Sequence, residues 1–216
     1  GASVRYGFPL FGMRWTRAFA GYSLSRYSYQ ARDEDDCDVG NIFCQPTAVA
    51  SNLSLAVTRD TKDHPLFPTI GTRQNITIQQ TGGPLGGDGN FQKIMGEAEW
   101  WTPVARLGGT APGTRPIITT FGVQVRAGMI FGDADRFPLE RFFLGGTQFG
   151  IPLRGYDEST VTPFGVFERD DPAIPSSDRL GNAFFVITGE YAMRLTDVIS
   201  ISAFGDAGNL WTDPSS

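Results

Sequence analysis

Apolar and polar residues alternate with a period of two through most of this chain. In VISISAFGDAGNLW, Ile199, Ile201, Ala203, Gly205 and Ala207 fall on one face, opposite Ser200, Ser202, Phe204, Asp206 and Gly208. AFFVITGEYAMRL sets Phe185, Ile187, Tyr191, Met193 and Leu195 against Thr188, Glu190, Ala192 and Arg194. SNLSLAVTRD sets Leu53, Leu55 and Val57 against Asn52, Ser54 and Thr58. IITTFGVQVRAGMIFG sets Phe121, Val123, Val125, Met129 and Phe131 against Thr120, Gln124 and Arg126. The pattern predicts about eight strands, over 2–9, 12–30, 48–59, 72–82, 90–103, 116–132, 183–195 and 198–211. Several exceed the roughly five or six residues usual in globular sheets and match the roughly nine to eleven of a tilted membrane strand.

The connections alternate in kind. GFPLFGM, DTKDHPLFPTIG, PVARLGGTAPGTRP and LTD are short or turn-rich; between them fall an acidic loop, the glycine loop TGGPLGGDGN and a segment of about fifty residues from Asp133 to Asn182. Short turns at one end and long loops at the other fit a transmembrane barrel, whose strands escape hydropathy because their faces alternate. Trp100, Trp101, Trp211, Tyr27 and Tyr29 cluster near strand ends, where an interfacial girdle would sit. A soluble β-sandwich shares the alternation, but its outer face would be rich in Lys and Glu. Here the polar face is Ser, Thr, Asn, Gln and Gly with isolated charges. No apolar run approaches the roughly 18–20 residues of a membrane helix.

Composition sharpens this. A net charge of −5 and a pI near 4.9 argue against a nucleic-acid partner. The 27 glycines and 17 phenylalanines suit strands, tight turns and girdles. The chain opens inside a strand pattern and closes on LWTDPSS, so a segment of a longer protein is expected. Cys37 and Cys44 share the acidic loop DEDDCDVGNIFCQ, which points to a disulfide in an oxidising compartment, with two free thiols as the alternative.

Catalytic signals are weak. TGGPLGGDGN lacks the Gly-Lys-Ser/Thr of a phosphate loop. His64 stands in a turn without a nucleophile constellation, Glu97 and Glu99 read as a polar wall, and no cluster has metal-ligand spacing. No enzyme activity, cofactor or metal is expected.

Three motifs carry a resemblance. ERFFLGGTQFGIPLRGYDE, followed by GNAFFVITGEYAMRL and ISAFGDAGNLW, together with the turn RDTKDHPLFPTIG, resembles the barrel of the BamA family of outer-membrane protein assembly factors, in the family's order and over nearly the whole chain. The resemblance implies an all-β, antiparallel transmembrane barrel of about sixteen strands in which residues 1–216 supply the sixth to thirteenth. The amino-terminal POTRA repeats and the remaining strands would lie outside this sequence. Arg59, Asp60 and Asp63 would belong to a periplasmic turn, and the cysteine, glycine and long loops would lie outside the cell. The long loop, 133–182, would fold into the lumen and rest its Arg154-Gly155-Tyr156 tip on the wall, with Gly145 and Gly146 as family-matched glycines. The alternation independently places Glu190 and Asp206 on polar sides of the two strands after that loop, so Arg154 is expected to pair with one or both. Gly155 would permit close approach, and Tyr156 would pack on the wall and donate a hydrogen bond. The Phe149–Pro152 stretch lengthens the usual spacing between Gly-Gly and Arg-Gly-Tyr, which bears on the loop's path.

The implied function is assistance to nascent barrel proteins inserting into the bacterial outer membrane, without ATP or covalent chemistry. The implied partners are outer-membrane lipid, client barrels and accessory lipoproteins. A TamA-like or two-partner secretion pore is the near alternative, and a passive porin the more distant one.

Overall fold

The computed structural model describes residues 1–28, 46–109, 116–148, 150–169, 171–196 and 199–213. Eight long strands form one antiparallel sheet in chain order: β1 (Ala2–Pro9), β2 (Thr16–Tyr27), β3 (Ala48–Asp60), β4 (Gly71–Gly82), β5 (Asn90–Leu107), β6 (Ile117–Asp133), β9 (Ala183–Arg194) and β10 (Ser200–Trp211). Two short strands, β7 (Val161–Thr162) and β8 (Gly165–Val166), pair with each other inside the long loop. The sheet is open, with β1 and β10 at its edges. Expected and observed strands agree closely, with two instructive differences. Residues 12–15 turn instead of extending, because Met13 N–H donates to the Leu10 carbonyl at 2.8 Å. β5 runs on to Leu107 through a bulge between Pro103 and Ala105, where proline cannot donate to the ladder.

Outside that bulge, register carries the alternation across the sheet. Asp206 faces Thr188 and Phe204 faces Glu190, while Arg126 faces Glu97 and Gln124 faces Glu99. All these side chains lie on the face that the long loop covers. The opposite face is an unbroken apolar band: Tyr6, Leu24, Leu55, Ile76, Ile78, Phe121, Ile187 and Ile201 are all solvent-exposed there. An apolar surface of that extent needs an apolar medium against it. Two residues assigned to an aromatic girdle face inward instead. Trp101 covers Gly122, where a Cβ would come within 2.5 Å of its ring, and Tyr27 packs edge-on against Phe137 and donates to Glu140 at 3.3 Å. Cys37, Cys44 and Tyr29, and with them the disulfide expectation, lie outside the described residues.

The buried core is thin and one-sided. Phe91, Ile130, Phe184, Val186 and Leu210 rise from the inner wall to meet Phe137, Phe142, Leu144, Leu153 and Val161 of the loop. At roughly 1.5–3 kcal/mol for each fully buried large side chain, this cluster is what draws the loop inward at its root.

The turn between β3 and β4 is more than a reversal. Lys62 reaches the wall and pairs with Glu99 at 2.7 Å, both side chains about nine-tenths buried. Phe67 lies under the Arg194 guanidinium at 5.5 Å, so the turn crosses the inner face to β9. Asp63 organises its bend by accepting the Thr69 and Ile70 amides, at 2.8 and 3.2 Å, and the Thr69 hydroxyl. Burial pushes the Asp63 carboxyl up, but these hydrogen bonds outweigh it and hold its pKa below the ordinary aspartate value. Asp60 accepts the Lys62 amide at 3.0 Å, whereas Arg59 is exposed at the end of β3.

Two outcomes follow from these contacts. A folded-state pKa below the unfolded one of about 3.9 gives stabilisation present above that value and lost as pH falls through the lower one. Hydrogen exchange at the Thr69 and Ile70 amides should therefore lose protection on acidification below about pH 4, and Asp63→Asn should remove the pH dependence. Leu55→Arg on the apolar band should cost the full-length barrel about 2–4 kcal/mol in lipid vesicles, measured by denaturant unfolding, and Ser54→Arg on the inner face markedly less.

Candidate functional site

The site forms where the longest loop meets the last two strands. Extended backbone on β10 alternates Phe204 and Asp206 onto the inner face, and β9 places Glu190 and Thr188 directly opposite them. The loop supplies Arg154. Its Nε donates to Asp206 Oδ2 at 2.7 Å and its Nη2 to Asp206 Oδ1 at 2.8 Å, a two-pronged bond matched to a planar carboxylate. The Arg154 amide donates to the same Oδ2 at 3.0 Å. Nη1 lies 3.6 Å from Glu190 Oε2, and the guanidinium carbon sits 3.5 Å above the Phe204 ring centroid. The cation thus has a carboxylate at its edge, a second beside it and an aromatic face beneath. The Asp206 side chain is only 3% exposed, so its charge depends on this partner.

The loop holds Arg154 in place through backbone. Gly146 N–H donates to the Tyr156 carbonyl at 2.8 Å, Leu153 N–H to the Gly146 carbonyl at 3.1 Å, and Gly145 N–H to the Ile151 carbonyl at 3.2 Å. Gly145 has φ 120° and Gly146 φ 67°; a Cβ on Gly145 would collide with the Asp157 carbonyl, and one on Gly146 would come within 2.5 Å of the Glu158 side chain. Both positions therefore need glycine. In the stretch that lengthens the spacing before Arg154, Ile151 N–H donates to the Phe143 carbonyl at 2.9 Å and ties the chain back to the loop's earlier backbone (Phe149 lies outside the described residues).

Every wall partner named from the sequence joins Arg154 here. Gly155 has φ 91° with no neighbour near its missing Cβ, so conformation rather than crowding requires it. Tyr156 departs from expectation: it is 43% exposed, and among the described residues its hydroxyl makes no hydrogen bond. Its carbonyl does the holding, while the residue lines a concavity beside Asp206, Ala207 and Asn209 of the wall.

Three contributors escaped the sequence reading. Phe204 looked like a stray aromatic on a polar face. Arg179, 7% exposed, donates to the Ser159, Glu168 and Asp171 carbonyls at 3.2, 2.8 and 3.2 Å and ties the loop to itself. Arg141 donates to Asn182 Oδ1 at 3.0 Å and the Leu180 carbonyl at 3.1 Å, fastening the loop's base. A carbonyl cage leaves no acidic residue at fixed spacing, so no signal existed. Glu97 and Glu99 are wall residues in a network: Glu97 accepts from Arg126 at 3.1 Å and Gln124 at 2.8 Å, and Glu99 binds Lys62. Among the described residues, no group of three or more His, Cys, Asp or Glu could hold a metal ion.

Arg154→Ala strands the buried Asp206 carboxylate, and the cost should be about 3–5 kcal/mol, the usual range for one partner removed from a desolvated pair. Asp206→Asn should cost less, about 1.5–3 kcal/mol, since the amide oxygen still accepts. Thermal unfolding of the full-length barrel in detergent reads both. Arg154→Asp with Asp206→Arg should recover part of the loss; equal stability of the double and single variants would remove the pair from the account.

The fold has known counterparts. The Omp85 superfamily domain matches residues 1–216. The outer membrane protein assembly factor BamA of Nitratidesulfovibrio vulgaris is 29% identical over 185 residues, which is 84% of this chain and 20% of that protein. The chain therefore spans about a fifth of the curated relative it matches. The crystal structure of Haemophilus ducreyi BamA lacking POTRA domains 1–3 shares the fold, with a TM-score of 0.66 at 15% identity over 97% of this chain and 41% of that one. The eight strands are part of an outer-membrane β-barrel, and the chain belongs to the Omp85 superfamily.

Proposed function

We propose that this chain is the wall and lumen loop of a BamA-type insertase, which helps client β-barrels fold into the outer membrane. The observation that carries this reading is the Arg154 tip, drawn inside the barrel and clamped to Asp206 and Glu190. A loop so anchored braces the wall from within. That wall must keep its shape if a seam elsewhere in the barrel opens to offer strand edges to a client. The work requires no covalent step, since strand pairing and apolar burial of the client supply the energy. The cysteine, glycine and long loops face outside the cell in this reading, and the Lys62–Phe67 turn faces the periplasm. Client barrels and accessory lipoproteins are the partners, the latter docking on upstream repeats.

A translocation pore of the TamA or two-partner secretion type would use the same loop. The name of the curated relative favours the insertase. A passive porin is disfavoured because Leu153, Arg154 and the Phe67 turn occupy the interior from both ends.

The full-length protein in proteoliposomes should accelerate folding of a urea-denatured client barrel, and Arg154→Glu should slow that folding about tenfold or more, equivalent to ~1.4 kcal/mol. Steady, porin-sized conductance with no effect on client folding would replace this reading with the channel.

A further inference from the structure

The inner wall is divided in its use of charge. Around the long loop and the β3–β4 turn charges are paired: Arg126 with Glu97 at 3.1 Å, Lys93 with Glu140 at 3.5 Å, Arg154 with Asp206 at 2.7 Å, and Glu99 with Lys62 at 2.7 Å. Toward β1 and β2 such pairs are sparse among the described residues. Arg5, Arg14, Arg17 and Arg73 line a single concavity of about 600 Å3 whose one acidic neighbour is Asp60. Among the described residues Arg5, Arg14 and Arg17 have no acidic partner; Arg5 lies over the Phe19 ring at 4.8 Å and Arg14 over Trp15 at 5.3 Å. Arg73 makes only a long contact with the already paired Glu99, at 3.4 Å.

Register explains how they converge. Arg17 faces Thr58, which faces Asn75, and Asp60 faces Arg73 one inner position further along. Arg5 faces Gly21, whose missing side chain leaves room, and leans over Phe19 toward Arg17. Ala56 and Thr77 form a low floor between them. Clustered guanidiniums repel one another, and an anion in their midst removes that penalty. Each presents a planar donor fork suited to a carboxylate or phosphate.

We propose that this cleft binds an acidic polypeptide segment, a run of Asp or Glu in extended form. Two features select a polypeptide. The cleft lies on the face opposite the apolar band of Tyr6, Leu55 and Ile76, so a bilayer phosphate cannot reach it from its own leaflet. The concavity also continues, through shared Arg5, Phe19, Ala56 and Thr77, into a second of about 390 Å3 lined by Ser3, Ser23, Ser54 and Gln79. That makes an elongated track of charge followed by hydroxyls and amide, which suits a chain more than a compact ion. The segment would belong to a client, so the inference rests on the insertase reading and specifies what its wall recognises.

The test uses the full-length protein in detergent and a fluorescent Asp/Glu-rich decapeptide, followed by anisotropy. Binding should weaken roughly tenfold or more in Arg5→Gln/Arg17→Gln, fall as salt is raised, and be absent for a Lys-rich decapeptide. A photo-crosslinker at Ala56, on the inner face, should capture the peptide; one at Leu55, on the outer face, should not. Folding of the double variant is checked by heat-dependent gel mobility; if it fails to fold, Arg14→Gln, in the short turn, carries the same expectation. Unchanged affinity in a folded variant would overturn the proposal, as would crosslinking of Ala56 to anionic phospholipid in place of the peptide. Weakened peptide binding in the variant with unchanged client folding in proteoliposomes would refute the assignment of the segment to a client and leave the insertase reading standing; failure of the wild type to accelerate client folding would refute the insertase reading.

Discussion

The bond between Arg154 and Asp206 sets the terms for the rest of this structure. A carboxylate almost withdrawn from solvent on an inner wall is costly unless a cation meets it, and the cation that meets it among the described residues arrives from a loop some fifty residues away in sequence. Ordering a connection of that length carries a large conformational cost. The molecule offsets it in stages. Phe137, Phe142, Leu144 and Leu153 bury the root against Phe91, Phe184 and Leu210; Arg141 and Arg179 tie the backbone to itself; the Gly145–Gly146 bend then aims the tip. Apolar contact brings the loop inside, and the charged tip decides where it stops.

This division of labour follows from what a barrel segment lacks. Its outer face is apolar because lipid covers it, so that surface helps little in fixing one internal arrangement. Its inner face is polar and partly wet, so geometry there must come from directional bonds. The sheet is accordingly braced from both ends. The long loop reaches Glu190 and Asp206, and the Lys62–Phe67 turn reaches Glu99 and Arg194. The two braces meet on β9, where Glu190 contacts Arg154 and also lines, with Phe67 and Arg194, the 120 Å3 gap beneath the turn. A displacement of either brace is felt by the strand that anchors the other.

Between these braces, paired charge acts as structure; beyond them Arg5, Arg14 and Arg17, which have no acidic partner among the described residues, leave the wall free to act on something else. The contrast lies within one sheet, and the chain's net charge of −5 conceals it.

Much of this was legible from the order of residues because a strand exposes its pattern directly. Side chains alternate at every step, so Ile187 against Glu190 and Ala207 against Asp206 could be assigned to faces without coordinates. The eight strands and the loop tip's partners followed from that period and from the Arg-Gly-Tyr motif. Contacts that depend on where chain reversals travel were not legible. Trp101 and Tyr27 resembled girdle residues because alternation places a residue on a face only once its strand's register is known. The inward sweep of the Lys62–Phe67 turn, the carbonyl cage around Arg179, the ring of Phe204 beneath Arg154 and the exposure of Tyr156 all arise between segments distant in sequence. Local periodicity determined which face each side chain would occupy; only the folded sheet, by fixing strand neighbours and loop paths, decided which of those side chains would touch.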